Sequence, residues 1–477
     1  MQKDTIATHF GYDSKLGYGT MAVPIYFNTA YDFGSAKMAA DRFALKDIGP
    51  IYTRLTNPTT EVFEKRICAL EEGSDAIATS SGQAAIFMSI ANLAANGDNV
   101  ILSDKVYGGS TTLIAYSLKR FGIKTKIFDP ENPENLENLI DDNTKAILFE
   151  TLSNPQISVA KVDEIVKIAN KFKVATIADN TVATPTLYNP LKDGVSVVIH
   201  SASKYISGQG LSLGGVVIAN KNLNKFLKDN PRYQHFNEPD ESYHGLVYAD
   251  LVDSFDIFTL RARFGLMRDF GFTLSPFNAF QLIQGLETLD LRVAKHSQNA
   301  LKVAQFLENH PLVKSVNYPG LSSSNLNSII KSKFKDGMAS GLLAFEVESY
   351  EKARQISDKV KLFSVVVNIG DSKSIITHPA STTHSQLSKD ELEKAGIKDG
   401  LISLSIGLEN ADDLIDDFAN KIEKLAKKYD ETIIDLEKKI HKEEKELAKM
   451  IDDLVGNEYD MKGLSEFKSL LLGEIYD

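Results

Sequence analysis

Val195-Ser196-Val197-Val198-Ile199-His200-Ser201-Ala202-Ser203-Lys204-Tyr205 reads as a buried strand that stops at a lysine flanked by two serine hydroxyls. Hydroxyls in such a turn can bind a phosphate, and the amine between them can form an imine. A lysine in a loop is more often simply solvated, so the neighbourhood has to decide. Working outward, β-rich runs recur at Asp75–Thr79, Asn99–Ser103, Lys124–Asp129, Lys145–Glu150, Val174–Asp179 and Gly214–Ala219. Helical stretches separate most of them, among them Gln83–Ala95, Ser110–Arg120 and Lys161–Lys171. Strands alternating with helices predict an α/β fold with a mostly parallel sheet covered on both faces. Ligands of such sheets sit beyond the carboxyl ends of the strands.

Three further features fall at strand ends. Ser80-Ser81-Gly82-Gln83-Ala84-Ala85 carries small residues from a strand into a helix, whose unpaired N–H groups and dipole favour a phosphate. Asp179, within Ala178-Asp179-Asn180-Thr181, is either a loop cap or the partner of a protonated ring nitrogen. Tyr107, before Gly108-Gly109, is either a packing aromatic or a stacking face that the glycines let a flat ring approach. A phosphate cradle, an aromatic face, a ring-nitrogen carboxylate and an imine lysine are together the equipment of pyridoxal-phosphate (PLP) catalysis.

Composition narrows the rest. The chain has 477 residues, 43% hydrophobic and 25% charged, enough for two or three units with ample core. A net charge of −11 without any basic stripe argues against nucleic acid. No apolar run is long enough to span a membrane, and Met1-Gln2-Lys3-Asp4-Thr5 has no signal-peptide core, so a cytoplasmic location is expected. The single cysteine, Cys68, fits a reducing compartment and reads as a buried helix residue rather than a nucleophile.

Residues 1–428 resemble the Cys/Met-metabolism PLP enzymes of the trans-sulfuration group. The resemblance rests on Ile51-Tyr52-Thr53-Arg54 with Asn57-Pro58-Thr59-Thr60, on Ser81-Gly82-Gln83, and on Ser153-Asn154-Pro155. It continues through Ala178 to Thr181, Ser201 to Lys204, and His378-Pro379-Ala380-Ser381-Thr382-Thr383-His384. It implies the aspartate-aminotransferase-like fold, type I. Residues 1–60 would form an arm against a neighbouring subunit, 61–290 the large PLP-binding domain, 291–428 a smaller αβ domain and 429–477 a helical extension. By the same resemblance Lys204 is the Schiff-base lysine and proton carrier, Asp179 pairs with the pyridine nitrogen and Tyr107 stacks on the ring. Asn154 lies near the ring hydroxyl and the substrate, while Gly82, Gln83, Ser201 and Ser203 hold the phosphate. Tyr52 and Arg54 reach the phosphate of a neighbouring subunit, which implies a homo-oligomer with shared sites, usually a tetramer.

Within the family the chain is most similar to the O-acetylhomoserine sulfhydrylases. Asn237–Tyr248, Gly285–Leu289 and Asn368–Lys373 carry that likeness, and methionine γ-lyases have cysteine where Gly109 stands. The implied reaction belongs to methionine biosynthesis: acetate leaves the γ-carbon of O-acetylhomoserine, and sulfide or a protein-bound sulfur replaces it to give homocysteine. A related γ-replacement or γ-elimination, and a PLP-binding scaffold acting through its helical tail, are the alternatives. One departure bears on them. Ser403, in Leu401-Ile402-Ser403-Leu404-Ser405-Ile406, stands where the family has an arginine for the substrate α-carboxylate, and no arginine follows Arg354.

The last stretch has its own pattern. Ala419, Ala426, Ile433, Ile440, Leu447 and Leu454 fall on one heptad position, and Ile422, Tyr429, Leu436 and Met450 on another, broken by Glu443. This predicts a long amphipathic helix of coiled-coil type, ended by Gly456-Asn457 and followed by a short return helix over Gly463–Leu472. A docking arm for a sulfur-carrier protein is the sharper reading of that tail.

Overall fold

A computed structural model describes residues 1–47, 49–382 and 398–455, the side chains at 421–434 and 452–455 excepted. The chain divides into two compact units, Met1–Asp417 and Phe418–Asp477.

Seven strands make the larger sheet of the first unit: β1 (Ala76–Thr79), β2 (Asn99–Ser103), β3 (Lys124–Phe128), β4 (Thr144–Glu150), β5 (Ala175–Asp179), β6 (Val197–Ser201) and β7 (Gly215–Ala219). Their order is β1-β7-β6-β5-β4-β2-β3, parallel from β6 to β3, with β7 antiparallel to both its neighbours. Strands buried on both faces read as continuous apolar runs, which is why Ile147-Leu148-Phe149 and Val197-Val198-Ile199 lack alternation. The second sheet has the order β10-β11-β12-β9-β8, from β8 (Ser315–Asn317), β9 (Leu342–Glu346), β10 (Ser364–Val365), β11 (Ile375–Thr377) and β12 (Leu401–Ser405). The α/β class and the mostly parallel sheet expected from the sequence are thus present.

Local chemistry sets the helices that frame the site. The helix Pro58–Glu71 begins with proline at its first turn, and the Asn57 side chain accepts from the N–H groups of Thr59 and Thr60. The helix Gly82–Ala91 starts directly after β1, capped by Ser81, whose hydroxyl accepts from Ala84 N at 3.2 Å. The helix expected over Ser110–Arg120 is present as one unbroken run whose hydrogen bonding changes, α at Gly108–Thr111, π at Thr112–Ser117 and 3-10 at Leu118–Phe121. Glycines at its start and β-branched Thr111, Thr112 and Ile114 weaken regular α geometry there. Cys68 is buried in the helix Pro58–Glu71, and burial pushes its thiol up to about 12, away from nucleophile chemistry.

The final helix runs from Ala411 to Val455, in agreement with the heptad pattern. Leu436, Ile440, Leu447 and Met450 are exposed along it. The expected stop at Gly456-Asn457 and the return helix over 463–472 lie outside the described residues, as do Thr383 and His384. Among the described residues no helix is long and apolar enough to cross a membrane.

Beneath the sheet one carboxylate ties distant segments together. Glu71, fully buried, lies 2.7 Å from His200 Nε2 through Oε1. It also accepts from Asn180 Nδ2 at 2.8 Å and Asn189 Nδ2 at 2.9 Å. Lys3 in turn donates to Asn189 Oδ1 and the Pro185 carbonyl, fastening the N-terminal helix Lys3–His9 to the same network. Removing the carboxylate would leave the buried His200 without a hydrogen bond and take one acceptor each from Asn180 and Asn189, which keep the Tyr188 and Leu70 carbonyls. Glu71→Ala is expected to lower stability by about 3–5 kcal/mol, read as an earlier urea-unfolding midpoint at fixed cofactor saturation.

Candidate active site

The carboxyl ends of β4, β5 and β6 finish side by side, with Glu150 in register with Asp179 and Asp179 with Ile199. Above them opens a cavity of about 280 Å³. It is lined by Gly82, Gln83, Tyr107, Asn154, Asp179, Ser201, Ser203, Lys204 and Ser403, so the sequence-predicted site residues of one chain meet in one place. Tyr52 and Arg54 do not join them. Both are exposed outside this cavity, the Arg54 guanidinium 5.3 Å from the centre of the Tyr52 ring.

Each side chain is held by its own turn. Thr181 donates to Asp179 Oδ1 from its N–H at 2.9 Å and from its hydroxyl at 2.5 Å. The same hydroxyl accepts from Ser201 N at 2.8 Å, stitching the ends of β5 and β6 together. The Ser203 hydroxyl accepts from Gly214 N at 3.0 Å and donates to Gly214 O at 3.2 Å. Lys204 Nζ donates to Asn368 Oδ1 at 2.8 Å, so a residue of the second sheet's neighbourhood fixes the amine. Burial lowers the Lys204 ammonium below its ordinary value, which favours the free amine needed for imine chemistry.

Two residues missed by the sequence reading complete the arrangement. Asn368 is one. The other is Glu150, whose Oε1 accepts from Tyr107 N at 2.6 Å and whose Oε2 accepts from Asn154 N at 3.0 Å. One carboxylate thereby sets both the aromatic face and the asparagine. Burial and then the charge of Asp179 push Glu150 well above the usual carboxylate range. Burial also raises Asp179, but its two bonds from Thr181 and the charge of His200 oppose the rise. Both carboxyls are thus pushed above the ordinary range, Glu150 the more strongly, while the Thr181 bonds favour the charged form of Asp179. The position of Glu150 at the end of an apolar run was the available signal, the same one that marked Asp179.

Similarity to known proteins follows the same lines. Residues 4–423 match the model of the Cys/Met metabolism PLP-dependent enzymes. The chain belongs to that family. O-acetyl-L-homoserine sulfhydrylase of Leptospira meyeri is 41% identical over 430 residues, covering 88% of this chain and 97% of that protein. The protein of the same name from Corynebacterium glutamicum is 42% identical over 418 residues, covering 87% and 95%. A crystal structure assigned as O-acetylhomoserine (thiol)-lyase of Campylobacter jejuni is 52% identical with a TM-score of 0.86, covering 89% of this chain and all of that one. It carries N'-pyridoxyl-lysine-5'-monophosphate.

The residues present fit PLP. A Cβ at Gly82 would stand 2.6 Å from Ser201 Cβ, so only glycine lets the helix start and the β6 turn close into a phosphate-sized cradle. Gln83 Oε1 is buried there without a hydrogen-bond partner. A Cβ at Gly109 would lie 2.5 Å from the Tyr107 ring, so glycine is also what allows that ring its place. In this family member PLP would be held by Lys204, with Asp179 at its ring nitrogen and Tyr107 on its face. Glu150→Gln removes one of the two acceptors beneath the ring at a cost of about 1–3 kcal/mol. It is expected to weaken PLP binding by about tenfold or more, measured by absorbance titration of the apo-protein.

Proposed function

We propose that this chain replaces the acetyl group of O-acetylhomoserine with sulfide, releasing acetate and giving homocysteine for methionine biosynthesis. The observation that carries the reading is that a single cavity holds Lys204, Asp179 and the Gly82–Gln83 cradle in a chain similar along nearly nine-tenths of its length to named sulfhydrylases. Bound PLP supplies the electron sink that makes the α-proton of the substrate removable. The chain's own groups do the rest. Lys204 Nζ, with its ammonium form disfavoured by burial, takes the α-proton and returns protons later at neighbouring carbons. Asp179 would pair with the ring nitrogen of bound PLP, and Tyr107 would stack on the ring; both line the cavity that holds Lys204. Asn154, with its backbone fixed by Glu150, would serve the ring hydroxyl and the substrate.

Acetate leaves with the electrons of the γ-carbon–oxygen bond, and hydrosulfide brings the pair that forms the new carbon–sulfur bond. Sulfide is the donor in this reading, with a protein-bound sulfur as its alternative. The γ-lyase reading is disfavoured by Gly109, which stands where methionine γ-lyases have cysteine. The reaction is placed in the cytoplasm.

Tyr52 and Arg54, exposed in their own subunit, are assigned to the phosphate of a neighbouring one, within a homotetramer whose 1–60 arms cross between subunits. The arm, the large domain 61–290, the domain 291–428 and the extension 429–477 are the working parts in this reading.

Holoenzyme given O-acetylhomoserine and sulfide should form homocysteine and acetate, detected by mass spectrometry. Release of 2-oxobutyrate as the main product even with sulfide present would instead assign elimination. Lys204→Ala should cut turnover by about 100- to 10,000-fold and abolish the covalent PLP adduct in the intact mass. Shared sites also make a mixing experiment decisive. Inactive Lys204→Ala and Arg54→Ala proteins, co-expressed, should form mixed oligomers with partial activity, whereas sites built within one chain would stay silent.

A further inference from the structure

The charged side chains lining the cavity are Lys204, Glu150 and Asp179, so among the described residues Lys204 is its one cation. That amine is committed to the cofactor and to proton transfer. An amino acid entering the cavity also brings a carboxylate, and a buried carboxylate without a partner is costly. What faces it is neutral. Ser403 and Ser405 project from the same side of β12, two residues apart, and both line the cavity. Thr377, opposite Ser403 on β11, lines it as well. Ser405 Oγ accepts from Gly370 N at 2.9 Å and is also hydrogen-bonded to the buried Tyr205 hydroxyl, so it presents a neutral wall rather than a charge. Asn368 Oδ1 is taken by Lys204, which leaves its amide N–H groups to donate.

A neutral donor bonds a carboxylate more strongly than a carboxamide or ester carbonyl, but burying the carboxylate also costs more, so the net preference is small. A guanidinium would separate them, because a charge-assisted bidentate pair is formed with the carboxylate alone. We infer that Ser403, with Ser405, Thr377 and Asn368, makes a neutral subsite for the C1 group, so that the chain takes amides or esters of its amino-acid substrate about as well as the free acid. The inference rests on the proposed amino-acid chemistry for its choice of substrate, and Ser403 is its specificity-determining residue.

The test uses holoenzyme and two ligands without a γ-leaving group, L-norvaline and L-norvalinamide, titrated by the shift of the cofactor's visible band. Dissociation constants within about tenfold of each other are expected for the unaltered chain. Ser403→Arg should tighten norvaline by about 10- to 100-fold, as 1.4 kcal/mol is tenfold, and leave norvalinamide unchanged. A preference of about 100-fold for norvaline in the unaltered chain would overturn the inference. So would equal effects of Ser403→Arg on both ligands. If the arginine variant does not fold, the ratio in the unaltered chain decides alone. The homocysteine assay with sulfide is read separately, so a chain that binds both ligands equally yet forms no homocysteine sinks the proposed reaction and not the neutral subsite.

Discussion

The common ending of β4, β5 and β6 is the constraint on which the site depends. Parallel strands in register bring Glu150 beside Asp179, a placement that two carboxylates would otherwise resist. The arrangement holds because the two receive different support. Glu150 is fixed by the backbone N–H groups of two loops, and Asp179 by the N–H and hydroxyl of Thr181. The sheet therefore does more than carry the residues. It sets two acids side by side with different support, and the bonds from Thr181 favour charge on Asp179, where a ring nitrogen could use it.

Below the sheet, Glu71 joins the helix Pro58–Glu71, β6 and the loop after β5 through His200, Asn180 and Asn189. Asn180 follows Asp179 in the chain and His200 precedes Ser201, so the residues just beyond two functional positions are anchored by the same group.

Much of this was legible in the sequence, for physical reasons that differ by residue. Strands buried on both faces show as apolar runs, and polar residues just beyond such runs stand out, so Asp179 and Lys204 were visible as candidates that gained meaning only in combination with Gly82 and Tyr107. Glu150 gave the same signal, but its role depends on loops after β2 and β4 meeting over it, which no local pattern contains. Asn368 reaches Lys204 from a segment far along the chain, and the Glu71–His200 contact likewise joins residues distant in sequence. The helical stretch read at Ser110–Arg120 is present, but its hydrogen bonding passes from α through π to 3-10, a change that apolar spacing does not carry. The orientation of β7 was equally hidden, since an antiparallel strand buried on both faces has the same composition as a parallel one.

That orientation governs the order in which the molecule can be assembled. β1 is an edge strand whose one neighbour in the sheet is β7, the last of the seven to leave the ribosome. β2, β3 and β4 can pair with one another as they emerge, and β5 and β6 extend them in turn. The strand that carries the chain into the Gly82 helix waits with its hydrogen-bonding groups unmatched until Gly215–Ala219 has been made. Contacts of such wide sequence separation are slow to form and leave strand edges exposed to aggregation meanwhile. The phosphate cradle, built from the start of that helix and the turn after β6, is accordingly among the last features of the large sheet to be completed during biosynthesis.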